Sequence, residues 1–265
     1  MSLFLVTAPA SEPVSLAETK LHLRVAADVT AEDDLIAGLI VAARDYAETV
    51  THRALPLQTW DLKLDGFPDD GGPIWLPKAP TVSVTSVTYV AQDGTSTVWS
   101  AALYTTDLPT GPKARAGYLE PAYGQVYPST RDVPNAVVVR FVAGYQGTAL
   151  TLASLTQAAG LATATVTAGH GLTNLQAVTI AGATQAGYNG TFTATVVSAT
   201  VFTFAVAAAT ASPATGTPTA TPDPVPTLLK VCLKEHVRAD YGRGGEDREA
   251  ILQWIDRHLW AFKSF

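Results

Sequence analysis

The 265-residue chain has one cysteine, Cys232, and one methionine. A lone thiol rules out an internal disulfide and, with it, the small disulfide-stapled scaffolds. No apolar run approaches the roughly 20 residues a membrane-spanning helix needs. A G-x-S-x-G elbow, a G-x-x-x-x-G-K-[ST] loop and an H-E-x-x-H pair are all missing, so the common signatures of nucleophilic, nucleotide-dependent and zinc-hydrolase chemistry are absent. The histidines are His22, His52, His170, His236 and His258. Only His236 has a partner at ligand spacing, Cys232 one helical turn before it, and two ligands fall short of the four of a structural zinc site. The sequence thus names no catalytic residue, no cofactor site and no metal set, and it reads as a protein that is not an enzyme.

Charge is missing from one long stretch. Residues 141–222 contain no Asp, Glu, Lys or Arg, whereas residues 1–140 hold 10 basic and 16 acidic side chains and residues 223–265 hold 7 of each. The net charge of −6 therefore resides in the first 140 residues. Clamping a nucleic-acid backbone needs clustered Lys and Arg, which this chain does not have. At the N-terminus, Ala8-Pro9-Ala10 mimics a signal cleavage site. The apolar stretch 3–6 is too short for one, and no basic residue precedes it, so mature, cytoplasmically made protein is expected.

Helical periodicity is present at both ends of the chain. Ser15 with Glu18 three residues on forms a capping box for a short helix running to about Arg24. From Thr30, acidic residues 32–34 suit the start of a helix dipole, and Leu35, Ile36, Leu39, Ile40, Ala43, Tyr46, Ala47 and Val50 follow at helical spacing to about His52 or Arg53. Asp33-Asp34 reads as a helix start, because adjacent helical residues do not face each other as an acid–base pair must. After Pro226, Leu229, Cys232, Leu233, His236 and Val237 make one stripe. Gly242 to Gly245 break that helix, and a last helix is expected from about Glu246 to Phe262.

Between the ends the pattern is that of strands. Residues 58–64 alternate, residues 81–91 are rich in Val and Thr, and Asp93-Gly94 signals a hairpin before residues 96–100. Tyr104, residues 117–119 and residues 136–142 are further candidates. Within the charge-free stretch, strands are expected at 162–167, 177–180, 190–197 and 201–206, and residues 212–226 read as a Pro/Thr/Ala linker. The fold class is α+β: a helical domain with a central β-rich portion, interrupted by an inserted all-β domain. The expected domains are 1–147 with 223–265, discontinuous, and 148–222, an inserted all-β module with its linker.

Motifs in fixed order carry a resemblance. They are residues 13–18 (Pro-Val-Ser-Leu-Ala-Glu), 21–24 (Leu-His-Leu-Arg), 31–36, 42–44, Trp60, 76–80 (Leu-Pro-Lys-Ala-Pro), 84–87, Tyr89, Asp93-Gly94, 133–137, 141–145 (Phe-Val-Ala-Gly-Tyr), 224–241 and 246–254. The chain resembles the head–tail connector (adaptor) family of long-tailed bacteriophages over nearly all of 1–147 and 223–265. Its insert resembles a small β module of phage virion proteins, through His170-Gly171-Leu172, residues 178–183 and residues 187–193. The resemblance implies a homo-oligomeric ring, commonly of twelve subunits, in the virion neck, with the portal protein on one side and a stopper or tail-completion protein on the other. Double-stranded DNA would pass through the bore as non-specific cargo, and no membrane is involved.

The candidate interface residues are Arg243, Trp254, Arg257, Trp260 and Phe262. Trp260 lies about 180° around a helical wheel from Ile251, Ile255 and Phe262, on a polar face with Gln253, Asp256 and Arg257. A large aromatic there marks either an interface or a terminal turn folded back on its own subunit. A competing function, surface adhesion or carbohydrate binding by the β module, rests on its Thr/Ala/Gly content, with Tyr188 and His170 as its distinctive side chains.

Overall fold

The computed structural model describes residues 1–242 and 248–264. The chain forms two compact units, one of Met1–Ala10, Asp45–Tyr145 and Asp256–Phe265, the other of Ser11–Arg44 and Gln146–Ile255. Each unit thus combines early and late parts of the chain.

The first unit is built on a five-stranded antiparallel sheet. Its strands are β1 (Ser2–Thr7), β2 (Gln58–Leu64), β4 (Thr81–Val90), β5 (Ser96–Trp99) and β8 (Val137–Ala143), in the order β1-β2-β8-β4-β5. A second sheet of three strands orders β3 (Ile74–Trp75), β7 (Tyr118–Pro121) and β6 (Tyr104–Asp107). Central β8 shows why this chain makes strands: Val137, Val139, Phe141 and Ala143 point inward at period two and are fully buried. With Leu62, Val87, Trp99 and Leu119 they form one apolar core. Each such side chain, moved from water to the interior, contributes about 1.5–3 kcal/mol. The expected strands at 58–64, 81–91, 96–100 and 136–142 are found within a residue or two. The N-terminal strand β1 and the short β3 were not expected.

Across β2 and β8, Arg140 grips Asp61 with two hydrogen bonds of 2.8 and 2.9 Å. These bonds hold the Asp61 carboxyl below its usual value of 3.8. A depressed carboxylate stabilises the fold above its unfolded value and loses that contribution as pH falls through the lower, folded one. The stability difference between wild type and Asp61→Asn should therefore be present at neutral pH and shrink below pH 3.8. Paired urea titrations would show it, and a difference constant with pH would refute it.

The second unit holds two helices whole and parts of two others, whose remaining residues, Asp45 to Thr51 and Asp256 to Trp260, belong to the first. Helix α1 (Leu16–His22) starts with the full capping box, Ser15 and Glu18 each bonding the other's backbone N–H at 3.1 Å. Helix α2 (Asp33–Thr51) begins with Asp33 and Asp34 in its first turn, three residues later than Thr30. Buried Lys20 joins the two, donating to the carbonyls of Ala27 and Val29 and to Asp33 at 3.2, 2.7 and 2.7 Å. Helix α3 (Thr227–Tyr241) buries its predicted stripe and ends on Gly242, whose φ of 72° suits a residue without Cβ. Helix α4 spans Arg248–Trp260; the expected start at Glu246 lies outside the described residues.

Also in this unit is a seven-stranded sheet made wholly of residues 150–222. Its order is β12 (Gly190–Thr193), β11 (Ala177–Ala183), β15 (Gly216–Pro222), β9 (Leu150–Ala158), β10 (Leu161–Val166), β14 (Val201–Ala205) and β13 (Thr195–Val196). The stretch 212–226, expected as a linker, instead supplies β15, bonded on both sides by β11 and β9. Its prolines hid it, yet Pro218 falls where the register slips opposite Gly182, a place a strand can hold proline. Threonines line up across strands: Thr156, Thr163, Thr203 and Thr195 in one row, Thr221, Thr179 and Thr191 in another. β-branched side chains that offer a methyl and a hydroxyl suit such pairing, so the charge-free composition encodes a sheet. Phe202, Phe204, Ile180 and Tyr188 fill the core beneath.

Candidate interface site

The motif residues 76–80 and 141–145 meet in the first unit. Glu48, buried on α2, accepts from the Leu55 N–H and the Gln58 amide, both at 2.7 Å. Lys78 extends to the Glu48 carbonyl at 3.4 Å. Gly144 donates its N–H to the Pro80 carbonyl at 2.9 Å, and Tyr145 does so to Leu55 at 3.0 Å. The Tyr145 hydroxyl reaches the Pro112 carbonyl at 2.7 Å. These motifs therefore hold a backbone crossing together rather than build a catalytic group.

The same region fixes the end of the chain. Arg53, 1% exposed, donates from Nε to the Phe262 carbonyl and from Nη2 to the Ala114 carbonyl, the latter at 2.7 Å. The Ser264 N–H bonds the Thr51 carbonyl at 3.0 Å and its hydroxyl the His52 carbonyl at 3.3 Å. Tyr46 donates to Asp256, and burial together with that acidic partner pushes the phenol up to about 12. Sequence reasoning missed Arg53: an arginine after a helix gives no sign of burial, because its acceptors are carbonyls distant in sequence.

The candidate interface residues separate. Trp260 is 68% exposed, so its turn does not fold back over it, and Trp254 is 38% exposed. Arg257 is exposed on the same helix. Phe262, by contrast, is buried with Ile255 and Leu259 inside its own subunit, with Lys113 over its ring. Arg243 lies outside the described residues. In the module, Tyr188 and His170 are buried, His170 bonding the Ser198 carbonyl at 2.8 Å and the Leu172 N–H at 3.0 Å. Neither offers a platform for a sugar. Burial pushes the Cys232 thiol up to about 11, which keeps it protonated at neutral pH. Among the described residues no group of three or more His, Cys, Asp or Glu lies together as a metal site would require, and no helix is long and apolar enough to cross a membrane.

Other apolar surface lies in the first unit. Tyr123 and Val126 stand fully out on a loop, and Phe4, Leu5 and Val98 are exposed on strands. An apolar cleft of about 680 Å³ opens between Leu62, Ile74, Trp75, Ala116 and the chain end at Ser264.

Residues 13–96 match the profile of the phage gp6-like head–tail connector proteins. Over this segment the chain is similar to a head–tail connector domain. Among curated proteins none matches. A chain from the neck of an empty gene transfer agent (GTA) particle, computed with C6 symmetry, shares the fold: it aligns over 100% of this chain and 96% of its own, at 18% identity and a TM-score of 0.56. A chain of the native GTA virion aligns over 55% of this one and 72% of its own, at 26% identity and a TM-score of 0.45.

Proposed function

We propose that this chain is a head–tail connector subunit that closes into a ring, of twelve copies, between the portal and a stopper or tail-completion protein, with double-stranded DNA passing through the bore. The observation that carries the proposal is the connector-domain match at 13–96, a segment that holds Glu48, Leu55 and Pro80 of the buried crossing that Gly144 and Tyr145 complete. A closed ring needs two different surfaces that join head to tail with one rotation. Exposed apolar side chains without a reactive site suit that need. The surplus of six acidic charges in residues 1–140 supports a bore along which DNA slides instead of sticking.

The discontinuous domain 1–147 with 223–265 is part of this reading, and 148–222 is its inserted module, a decoration on the ring. Supporting the insertion, the chain enters and leaves the module at one place: a Cβ on Gly147 would stand 2.6 Å from the Pro222 carbonyl oxygen. Supporting an independent module, its core draws only on residues 152–220.

The test is to purify the chain with and without its portal and to image the complex by cryo-electron microscopy. A twelve-fold ring seated on the portal is the expected result; a monomer indifferent to the portal would refute the proposal. On the same reading α4 meets the portal or a neighbouring copy through Trp254, Arg257 and Trp260. Trp260→Ala should then leave the urea midpoint within about 0.5 kcal/mol of wild type, as exposed sites do. It should weaken portal binding about 30-fold, the loss expected of an interface aromatic. Unaltered binding would remove α4 from the interface.

A further inference from the structure

The five-stranded sheet ends in two open edges, β1 on one side and β5 on the other. Among the described residues neither outer edge has a hydrogen-bonded neighbour. Soluble proteins blunt such edges with lysines, prolines or covering loops, because a row of free N–H and C=O groups recruits another strand. Here neither edge has that protection. No charged residue or proline occurs in residues 1–7 or 95–100. The large exposed side chains are apolar: Phe4 and Leu5 at 48% each on β1, Val98 at 66% on β5.

The two edges also fit each other in length. On β1 the regular stretch is Ser2 to Leu5, paired one to one with Lys63 to Trp60, before the register slips at Val6. On β5 the strand is four residues, Ser96–Trp99. Every neighbouring pair in this sheet is antiparallel, so among five strands the first and last run in the same direction. The edges differ in sequence and sit at opposite ends of one sheet. That is what a heterologous contact requires: each copy offers one surface and receives the other, and the contact repeats around a closed symmetry.

We propose that β1 of one copy pairs with β5 of the next, in parallel, so that the sheet continues from subunit to subunit. The occupant of each edge is thus a second copy of this chain. Main-chain hydrogen bonds supply the attraction, and Phe4, Leu5 and Val98 are covered in the process. The inference deepens the ring reading and rests on it.

The test places single cysteines on the edges, since native Cys232 is buried and silent toward a maleimide. Phe4 and Val98 share the face of the sheet opposite its core, so chains carrying Phe4→Cys, Val98→Cys or both are assembled and treated with a short bis-maleimide. The double variant should give a ladder of covalent multimers, and each single variant none. Dimers from Phe4→Cys alone would reveal a two-fold β1–β1 contact and overturn the proposal, as would assembled double-variant rings that yield no ladder. Leu5→Lys gives an independent reading. It should keep the wild-type circular dichroism and melting curve, yet need at least tenfold more protein to assemble. If Leu5→Lys rings form as readily as wild type, the edge pairing fails while the ring stands. If wild type forms no oligomer in ultracentrifugation with or without portal, the ring and the edge pairing fall together.

Discussion

Gly144→Ala is expected to leave almost no folded protein. Gly144 has φ of 135°, a region that residues with a Cβ avoid. A Cβ built there would lie 2.2 Å from the Pro56 carbonyl oxygen, 2.5 Å from its carbon and 2.7 Å from the Leu57 Cα. All three are backbone atoms, so no side chain can swing aside. Nor can the strand retreat, since the N–H groups of Gly144 and Tyr145 are bonded to Pro80 and Leu55. Overpacking of this kind costs about 1–3 kcal/mol and sometimes more. The strained φ adds about 1–3 kcal/mol. Together they approach the whole stability of an ordinary domain, about 5–15 kcal/mol. Gly38 is the control: it lies in α2, and a Cβ there meets nothing within 4 Å. Gly38→Ala should stabilise by up to about 1 kcal/mol, the helical penalty of glycine. Urea unfolding followed by circular dichroism measures both, and a Gly144→Ala midpoint equal to wild type would refute the close-approach account.

That glycine shows where sequence is readable and where it is not. Its motif, Phe-Val-Ala-Gly-Tyr, stands out as a pattern, and alternation places Phe141 and Ala143 inside. The reason for the glycine is a contact with residues 56 and 57, nearly ninety positions away, which no local rule reveals. The capping box at Ser15, the apolar period of α2, the stripe of α3 and the Asp93-Gly94 hairpin are all local, and the structure holds each as the sequence states it. Strand β1 escaped notice because it has no turn residue before it and exposes its apolar side chains. Strand β15 escaped because its prolines outweighed its alternation, although a bulge accommodates one of them. Of the candidate interface residues, the wheel set Trp260 opposite Ile251, Ile255 and Phe262, and Trp260 is exposed where Ile255 is buried beside Leu259. Phe262 shares their stripe, and so is buried with them rather than displayed. The open sheet edges lie in strand order, which emerges only when distant segments pair.

Arg53→Met should detach the end of the chain. Among the described residues Arg53 contacts carbonyls and the Tyr145 hydroxyl and no carboxylate, and burial lowers its affinity for the proton without making it neutral. Methionine fills a similar space and removes a costly buried charge, which favours the variant. Against that gain, the carbonyls of Phe262 and Ala114 lose their donors, and each unmet buried acceptor costs about 1–3 kcal/mol. The second effect prevails because two acceptors are stranded at once and no water-filled space need open to receive them. A net loss of about 2–4 kcal/mol is expected. Lysine is no substitute, as one ammonium cannot reproduce the guanidinium fork. The loss should also be local. Hydrogen exchange at the Ser264 amide, bonded to Thr51, should accelerate far more than exchange in β8. Trp260 stands two residues before the carbonyl that Arg53 holds, so, on the proposal that α4 meets the portal, binding should fall in Arg53→Met even at temperatures where the sheet is intact. Were stability to drop with Ser264 exchange unchanged, Arg53 would be an ordinary part of the core, and α4 would present Trp260 without its help.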